Sequence, residues 1–209
     1  MARKKVDKPV KEMLVIFVEG DADEMVINGL LDYYRSKGWH TNVSIKVVNT
    51  HGFPNETKMK SQLTRINETE TKKTIQFKAV CCEYDTDIFD KGIQNKPDWK
   101  KIEKNLKNEF DMLNFCRIEA KTSIEDWLLD DSEGLLKALN LPTDTIIKGT
   151  SGQDKVKKLF KKSNIMYDRF KGKEKIKPYL EKLDISKIAK SRKNELKELK
   201  KILKVNNQL

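Results

Sequence analysis

Carboxylate side chains follow two of the strands that the sequence predicts. Glu19 comes directly after the apolar run 13–18, and Asp85 and Asp87 follow the apolar alternation of residues 74–84. Residues i and i+2 of an extended chain point to the same side, so we expect Asp85 and Asp87 to project together. The carboxyl ends of parallel strands meet at one edge of a sheet. We therefore expect these three carboxylates to converge.

Grouped carboxylates of this kind predict a site for a hard divalent cation. Their mutual repulsion costs stability unless a cation neutralises them or one of them keeps its proton. Oxygen ligands suit Mg²⁺ or Mn²⁺, and these cations activate water and screen phosphate charge during phosphodiester hydrolysis. A structural alternative stays open, because Asp21 and Asp23 also suit a helix cap and an Asp-x-Asp after a strand is often only a turn.

Short apolar runs alternate with helical patterns along the first 122 residues. Strands are predicted over residues 13–18, 43–48, 74–84 and 112–118. The segment after Gly20 predicts a helix with Asp21 as its N-cap and Glu24 completing a capping box. Alternating β and α elements favour an α/β fold, with a mostly parallel four-stranded sheet and helices on both faces.

After Thr122 the pattern predicts helices only. They cover residues 123–130, 133–139, 153–162, 176–183 and about 186–205. Residues 1–150 hold 24 Lys and Arg against 25 Asp and Glu, whereas residues 151–209 hold 19 against 7. This asymmetry favours a polyanionic partner, although a lysine-rich solvated helix remains an alternative. We predict an α/β core over 1–122 and a basic helical extension over 123–209 that packs on it.

Three segments resemble motifs of the TOPRIM family. The family's Glu-Gly turn after the first strand is matched by residues 17–24, FVEGDADE, and its Asp-x-Asp after the third strand by residues 83–87, EYDTD. Residues 123–129, SIEDWLL, are similar to the acidic-aromatic segment of OLD-like and RloB-like members. The resemblance covers residues 13–125 and implies the small OLD-like or RloB-like nuclease branch, with a TOPRIM-like, Rossmann-like fold.

The resemblance implies a Mg²⁺-dependent or Mn²⁺-dependent nuclease and assigns roles to the matching positions. The implied metal ligands are Glu19, Asp23, Asp85, Asp87, Glu125 and Asp126. The implied catalytic residues are Glu19, Asp85, Asp87 and Lys148. Glu19 serves as a ligand or a general acid and base, and Glu125 or Asp126 completes a second metal site. Lys148 takes the place of the family's late lysine near the phosphate, with Lys155 as its substitute.

The same resemblance implies a nucleic-acid partner, either DNA or RNA, and a role in phage defence. A homo-oligomer and a defence-system partner protein both remain open. A second class of function also remains open, in which a non-catalytic TOPRIM module binds nucleic acid or regulates a partner. In that case the acidic residues hold a structural cation.

The apolar runs of the sequence are too short for us to expect a membrane protein. The longest apolar run, residues 13–18, has six residues, far short of the ~20 that span a bilayer. The basic start lacks the apolar stretch of a signal peptide, so we expect a cytoplasmic location. The three cysteines include the adjacent Cys81 and Cys82. We expect them to fill the core without a disulfide framework.

Overall fold

The computed structural model describes residues 10–39, 43–69, 74–92, 94–170 and 172–204. The strands in these ranges are β1 (Val10–Val18), β2 (Ser44–Asn49), β3 (Thr74–Asp85) and β4 (Asn114–Ala120). The first helices are α1 (Asp21–Ser36), α2 (Glu56–Thr69), α3 (Asp87–Asp90), α4 (Trp99–Phe110) and α5 (Ile124–Leu128). The later helices are α6 (Ser132–Ala138), α7 (Gly152–Lys162), α8 (Lys173–Leu180), α9 (Ile185–Ser191) and α10 (Lys197–Leu203).

The four strands form one parallel sheet in the order β2-β1-β3-β4. β1 is buried on both faces, with Leu14 and Ile16 on one side and Val15 and Phe17 on the other. Helices α1 and α5 to α10 contribute to the core on the first side, while α2 and α4 cover the second. The predicted α/β fold with a parallel four-stranded sheet is therefore confirmed.

A bulge at Lys78 decides which way the end of β3 faces. Two consecutive residues of β1 pair with Phe77 and Ala79, so Lys78 is an extra residue in β3. An extra residue reverses the alternation of side chains. Phe77 accordingly packs on the side of α2 and α4, whereas Ala79 packs on the side of α1. Glu83 and Asp85 share the parity of Ala79 and face α1 as well.

The predicted last helix, over residues 186–205, is broken into two. α9 ends at Ser191 and α10 begins at Lys197, while the predicted end at Val205 lies outside the described residues. Arg192 caps α9, and its guanidinium donates to the Asp130 carboxylate at 2.6 Å. This ion pair fixes the segment between α9 and α10 against Asp130, which follows α5. No helix in the described part of the chain is long and apolar enough to cross a membrane.

The cysteines differ from the expectation. Cys81 and Cys116 are register partners on β3 and β4, and a disulfide joins them with Cα atoms 4.5 Å apart. Cys82 points to the opposite face and stays a free, buried thiol. The expectation that the cysteines fill the core without a disulfide framework is corrected, because Cys81 and Cys116 pair through strand register across 35 residues of chain.

Candidate metal centre

Five buried carboxylates lie together at the carboxyl edge of the sheet, and we call them the carboxylate cluster. Its members are Glu19, Asp23, Glu83, Asp85 and Glu125, each at most 3% exposed. Three come from the ends of β1 and β3, and the other two from the first turns of α1 and α5. Parallel strands bring their carboxyl ends, and the helices that start there, to one edge. The parallel arrangement of the strands therefore brings these five carboxylates to the same edge.

The buried guanidinium of Arg169 lies among these carboxylates. Its Nη2 donates to Oδ1 of Asp23 at 2.7 Å, and its Nη1 donates to Oδ2 of Asp85. Oxygens of Glu19 and Glu125 lie 3.7 and 3.8 Å from guanidinium nitrogens. The guanidinium thus forms ion pairs with four of the five carboxylates.

Residues 167–170, which we call the strap, hold Arg169 over the start of α1. The carbonyl oxygen of Arg169 accepts hydrogen bonds from the backbone N–H groups of Asp21 at 2.6 Å and Ala22 at 3.3 Å. Glycine permits this approach, because a Cβ at Gly20 would lie 2.7 Å from that oxygen. The predicted side-chain cap at Asp21 is wrong, since Asp21 is the first helical residue and a distant carbonyl satisfies the helix end.

Burial shifts the proton affinities of the cluster. It raises the pKa of Glu19 to about 7, although the nearby Arg169 acts in the opposite direction. Burial also raises the pKa values of Glu83 and Asp85 well above their ordinary range, and neighbouring carboxylates add to the rise. Burial disfavours the charged form of Arg169, but the carboxylates outweigh it and raise its pKa. The carboxylates of the cluster whose pKa values are raised therefore hold protons more strongly than exposed carboxylates do.

Several oxygens of the cluster accept no hydrogen bond within the described residues. They are Oδ2 of Asp23, both carboxylate oxygens of Glu83 and Oε2 of Glu125. One oxygen each from Asp23, Glu83 and Asp85 lies within 4.8 Å of the others. Hard divalent cations prefer carboxylate oxygens as ligands, and two of these three residues, Asp23 and Glu83, carry oxygens that accept no hydrogen bond within the described residues. The chemistry of these residues therefore fits a hard divalent cation.

Comparisons with known proteins give no family assignment. No family model, no curated protein and no solved structure matches this chain. The similarity to TOPRIM proteins therefore remains a resemblance of short segments.

Asp87, predicted to project with Asp85, lies outside the carboxylate cluster. β3 ends at Asp85 and α3 begins at Asp87, so the i, i+2 rule of extended chain does not reach it. Its Oδ2 accepts a hydrogen bond from Lys91 at 2.5 Å, and its charge adds to burial in raising the pKa of Glu19. The rule instead applies inside β3, where it pairs Glu83 with Asp85.

Of the two acidic residues proposed for a second metal site, Glu125 joins the carboxylate cluster and Asp126 does not. Oε1 of Glu125 accepts a hydrogen bond from the Tyr167 hydroxyl at 3.1 Å. The Asp126 carboxylate accepts one from the Ser123 hydroxyl at 3.3 Å and packs against Gly152, the first residue of α7. The side chains of these two adjacent residues therefore point in different directions from α5, and only that of Glu125 enters the carboxylate cluster.

Lys148 lies on an exposed surface beside α7. It lines a depression of about 560 Å³ with its proposed substitute Lys155, and the other lining residues are Ile146, Lys158, Leu159, Lys161 and Lys162. We call these five lysines the α7 lysine patch. The structure records ion pairs between the carboxylate cluster and Arg169, and none of the patch lysines takes part in them.

Sequence reasoning missed two residues of this site. Glu83 had a local signal, because a charged residue within an apolar strand, two positions before Asp85, shares its face. Arg169 had none, because 146 residues separate it from Asp23 and only the packing of the strap on α1 brings them together.

Proposed function

We propose that this protein is a Mg²⁺-dependent or Mn²⁺-dependent nuclease that hydrolyses phosphodiester bonds in DNA or RNA. The observation that supports this function is the carboxylate cluster, in which one guanidinium accompanies five buried carboxylates. This imbalance favours a further cation at the site. A bound divalent cation supplies Lewis acidity toward phosphate and activates water.

Glu19, Asp23 and Asp85 are the residues that we expect to hold the cation. Glu19 is also suited to move a proton near neutral pH, because burial raises its pKa to about 7. Its Oε1 accepts a hydrogen bond from the backbone N–H of Asp85 at 3.3 Å, which orients the carboxylate. Arg169 already donates through Nη1 to Asp85 and through Nη2 to Asp23, whereas its Nε donates no hydrogen bond within the described residues and remains a donor for a phosphate oxygen. We therefore assign to Arg169 the phosphate-binding role that the resemblance placed at Lys148.

Glutamine at position 19 is expected to reduce cleavage at least about 100-fold, because it removes both a ligand and a proton acceptor. Cleavage of single-stranded and duplex DNA and RNA is measured with Mg²⁺, with Mn²⁺ and with EDTA. Glu68→Gln is the matched control, since Glu68 is exposed on α2. Cleavage that persists in EDTA, or equal loss in both variants, contradicts the proposed function.

The α7 lysine patch is expected to contact the phosphate backbone of the substrate. Replacing Lys161 and Lys162, both exposed, with alanine should weaken oligonucleotide binding and reduce the slope of log K against log salt by about 2. Fluorescence anisotropy over a series of salt concentrations measures both quantities. The control replaces the exposed Lys100 and Lys104 of α4, on the opposite side of the sheet. Equal effects of the two double variants contradict this assignment.

A non-catalytic module that binds nucleic acid or regulates a partner is the second candidate function. The observation that favours it is again Arg169, whose guanidinium already pairs with four of the carboxylates and could serve as their structural counter-ion. This candidate predicts oligonucleotide binding of equal strength with and without Mg²⁺. It also predicts no cleavage by the wild type or by Glu19→Gln.

A further inference from the structure

Glu83 is the member of the carboxylate cluster that Arg169 does not reach. It is fully buried, and in the described part of the chain neither of its carboxylate oxygens accepts a hydrogen bond. Its neighbours Cys82 and Tyr84 point to the other face of the sheet and offer it no partner. A buried carboxylate is very unfavourable when ionised unless it is paired or binds a metal.

Two acidic residues of the carboxylate cluster, Asp23 and Asp85, lie near Glu83. One oxygen from each of Asp23, Glu83 and Asp85 lies within 4.8 Å of the others. Oxygen ligands of one divalent cation have similar separations, because each lies roughly 2.0–2.6 Å from the ion. The spacing of the three carboxylates therefore suits a single shared cation.

Asp23 can serve Arg169 and a cation at the same time. Its Oδ1 accepts a hydrogen bond from Arg169 at 2.7 Å, whereas its Oδ2 is buried and accepts none within the described residues. The guanidinium therefore uses one oxygen of this carboxylate and leaves the other available. A cation bound on that side leaves the Asp23–Arg169 pair intact. At Asp85 it shares an oxygen that already accepts a hydrogen bond, because Oδ1 accepts from the backbone N–H of Ile124 at 2.8 Å and Oδ2 accepts from Arg169.

We propose that Asp23, Glu83 and Asp85 form an inner divalent-cation site beside Arg169. This inference rests on the proposed function, because Asp23 and Asp85 are shared with the catalytic site, and it adds Glu83 as a ligand. The inner cation joins the end of β3 to the first turn of α1 and neutralises the carboxylate that the guanidinium leaves unpaired. Mn²⁺ is the suitable probe, since it accepts oxygen ligands and is detected directly by its paramagnetism.

Mn²⁺ binding to the full chain is measured by electron paramagnetic resonance for the wild type, Glu83→Gln and Glu119→Gln. Glu119 is the control because it lies on the neighbouring β4 and is partly exposed. We expect Glu83→Gln to weaken Mn²⁺ binding at least about tenfold. In EDTA the same variant should unfold at a higher temperature than the wild type, because an unpaired carboxylate is gone. If the Glu83→Gln variant folds poorly, Glu83→Met provides the same comparison.

Equal Mn²⁺ affinity in the wild type and both Glu83 variants overturns the inner site. If Glu19→Gln still abolishes Mg²⁺-dependent cleavage in that case, the proposed function survives and the inner site alone fails. A wild type that binds no Mn²⁺ and cleaves nothing overturns both proposals. A lower unfolding temperature of both Glu83 variants in EDTA, with Mn²⁺ affinity unchanged, assigns Glu83 a structural role and also overturns the inner site.

Discussion

Replacement of Arg169 with glutamine is expected to lower the free energy of unfolding of the metal-free protein by about 3–5 kcal/mol. The guanidinium is buried and pairs with four carboxylates, so its removal leaves negative charges facing one another without compensation. The backbone carbonyl that caps α1 remains in the variant, and the loss therefore reports the guanidinium itself. Urea denaturation in EDTA at neutral pH measures it.

Two controls separate this effect from a general loss of charge. Arg35→Gln breaks an exposed ion pair with Asp32 and should change stability by less than about 1 kcal/mol. Arg169→Lys keeps the positive charge but cannot donate to Asp23 and Asp85 from two separate nitrogens, so we expect an intermediate loss of stability. Saturating Mn²⁺ should restore part of the stability of Arg169→Gln, because a bound cation then replaces the missing positive charge. Equal destabilisation by Arg35→Gln and Arg169→Gln contradicts the role given to Arg169.

Without metal, the protein is expected to become less stable as the pH rises from about 5 to about 8. Burial raises the pKa of Glu19 from 4.5 to about 7, so between these values the folded state keeps a proton that the unfolded chain has released. The unfolded state then binds fewer protons, and the free energy of unfolding falls with pH. Glu19 alone contributes about 3 kcal/mol to this fall, from the size of its shift. Glu83 and Asp85 act in the same direction.

Urea denaturation in EDTA across this pH range checks the sign. Glu19→Gln should flatten the pH dependence, because the group that takes up the proton is gone. Saturating Mn²⁺ should do the same by competing with protons for the carboxylates. Carboxylates with lowered pKa values, such as Asp131, lose their stabilising effect only at lower pH and do not mask the trend. Metal-free stability that increases between about pH 5 and pH 8 contradicts this account.

Local patterns in the sequence were enough to predict the fold class and part of the site. Apolar runs of strand length alternate with helical patterns, and their order led to a parallel sheet that the structure confirms. The position of Glu19 and Asp85 directly after or at the end of two strands led to an expectation that they lie close together. The structure places both in the carboxylate cluster, because adjacent parallel strands end at one edge.

Features that depend on where a strand stops were harder to predict. Asp87 was expected beside Asp85, but the strand ends first and a short helix turns the Asp87 carboxylate toward Lys91. The bulge at Lys78 changes which residues of β3 face α1, and hydrophobic alternation alone does not show it. Irregularities of one residue reverse a whole face, and single-residue propensities do not specify them.

The sequence of this protein thus determines its strands, most helices and the acidic edge, because each follows from side-chain periodicity over a few residues. Long-range packing alone decides how that edge is neutralised. Arg169 reaches the carboxylates across 146 residues of chain, and the disulfide between Cys81 and Cys116 depends on strand register. No local pattern encodes such contacts, because their partners become neighbours only when the sheet and the strap come together.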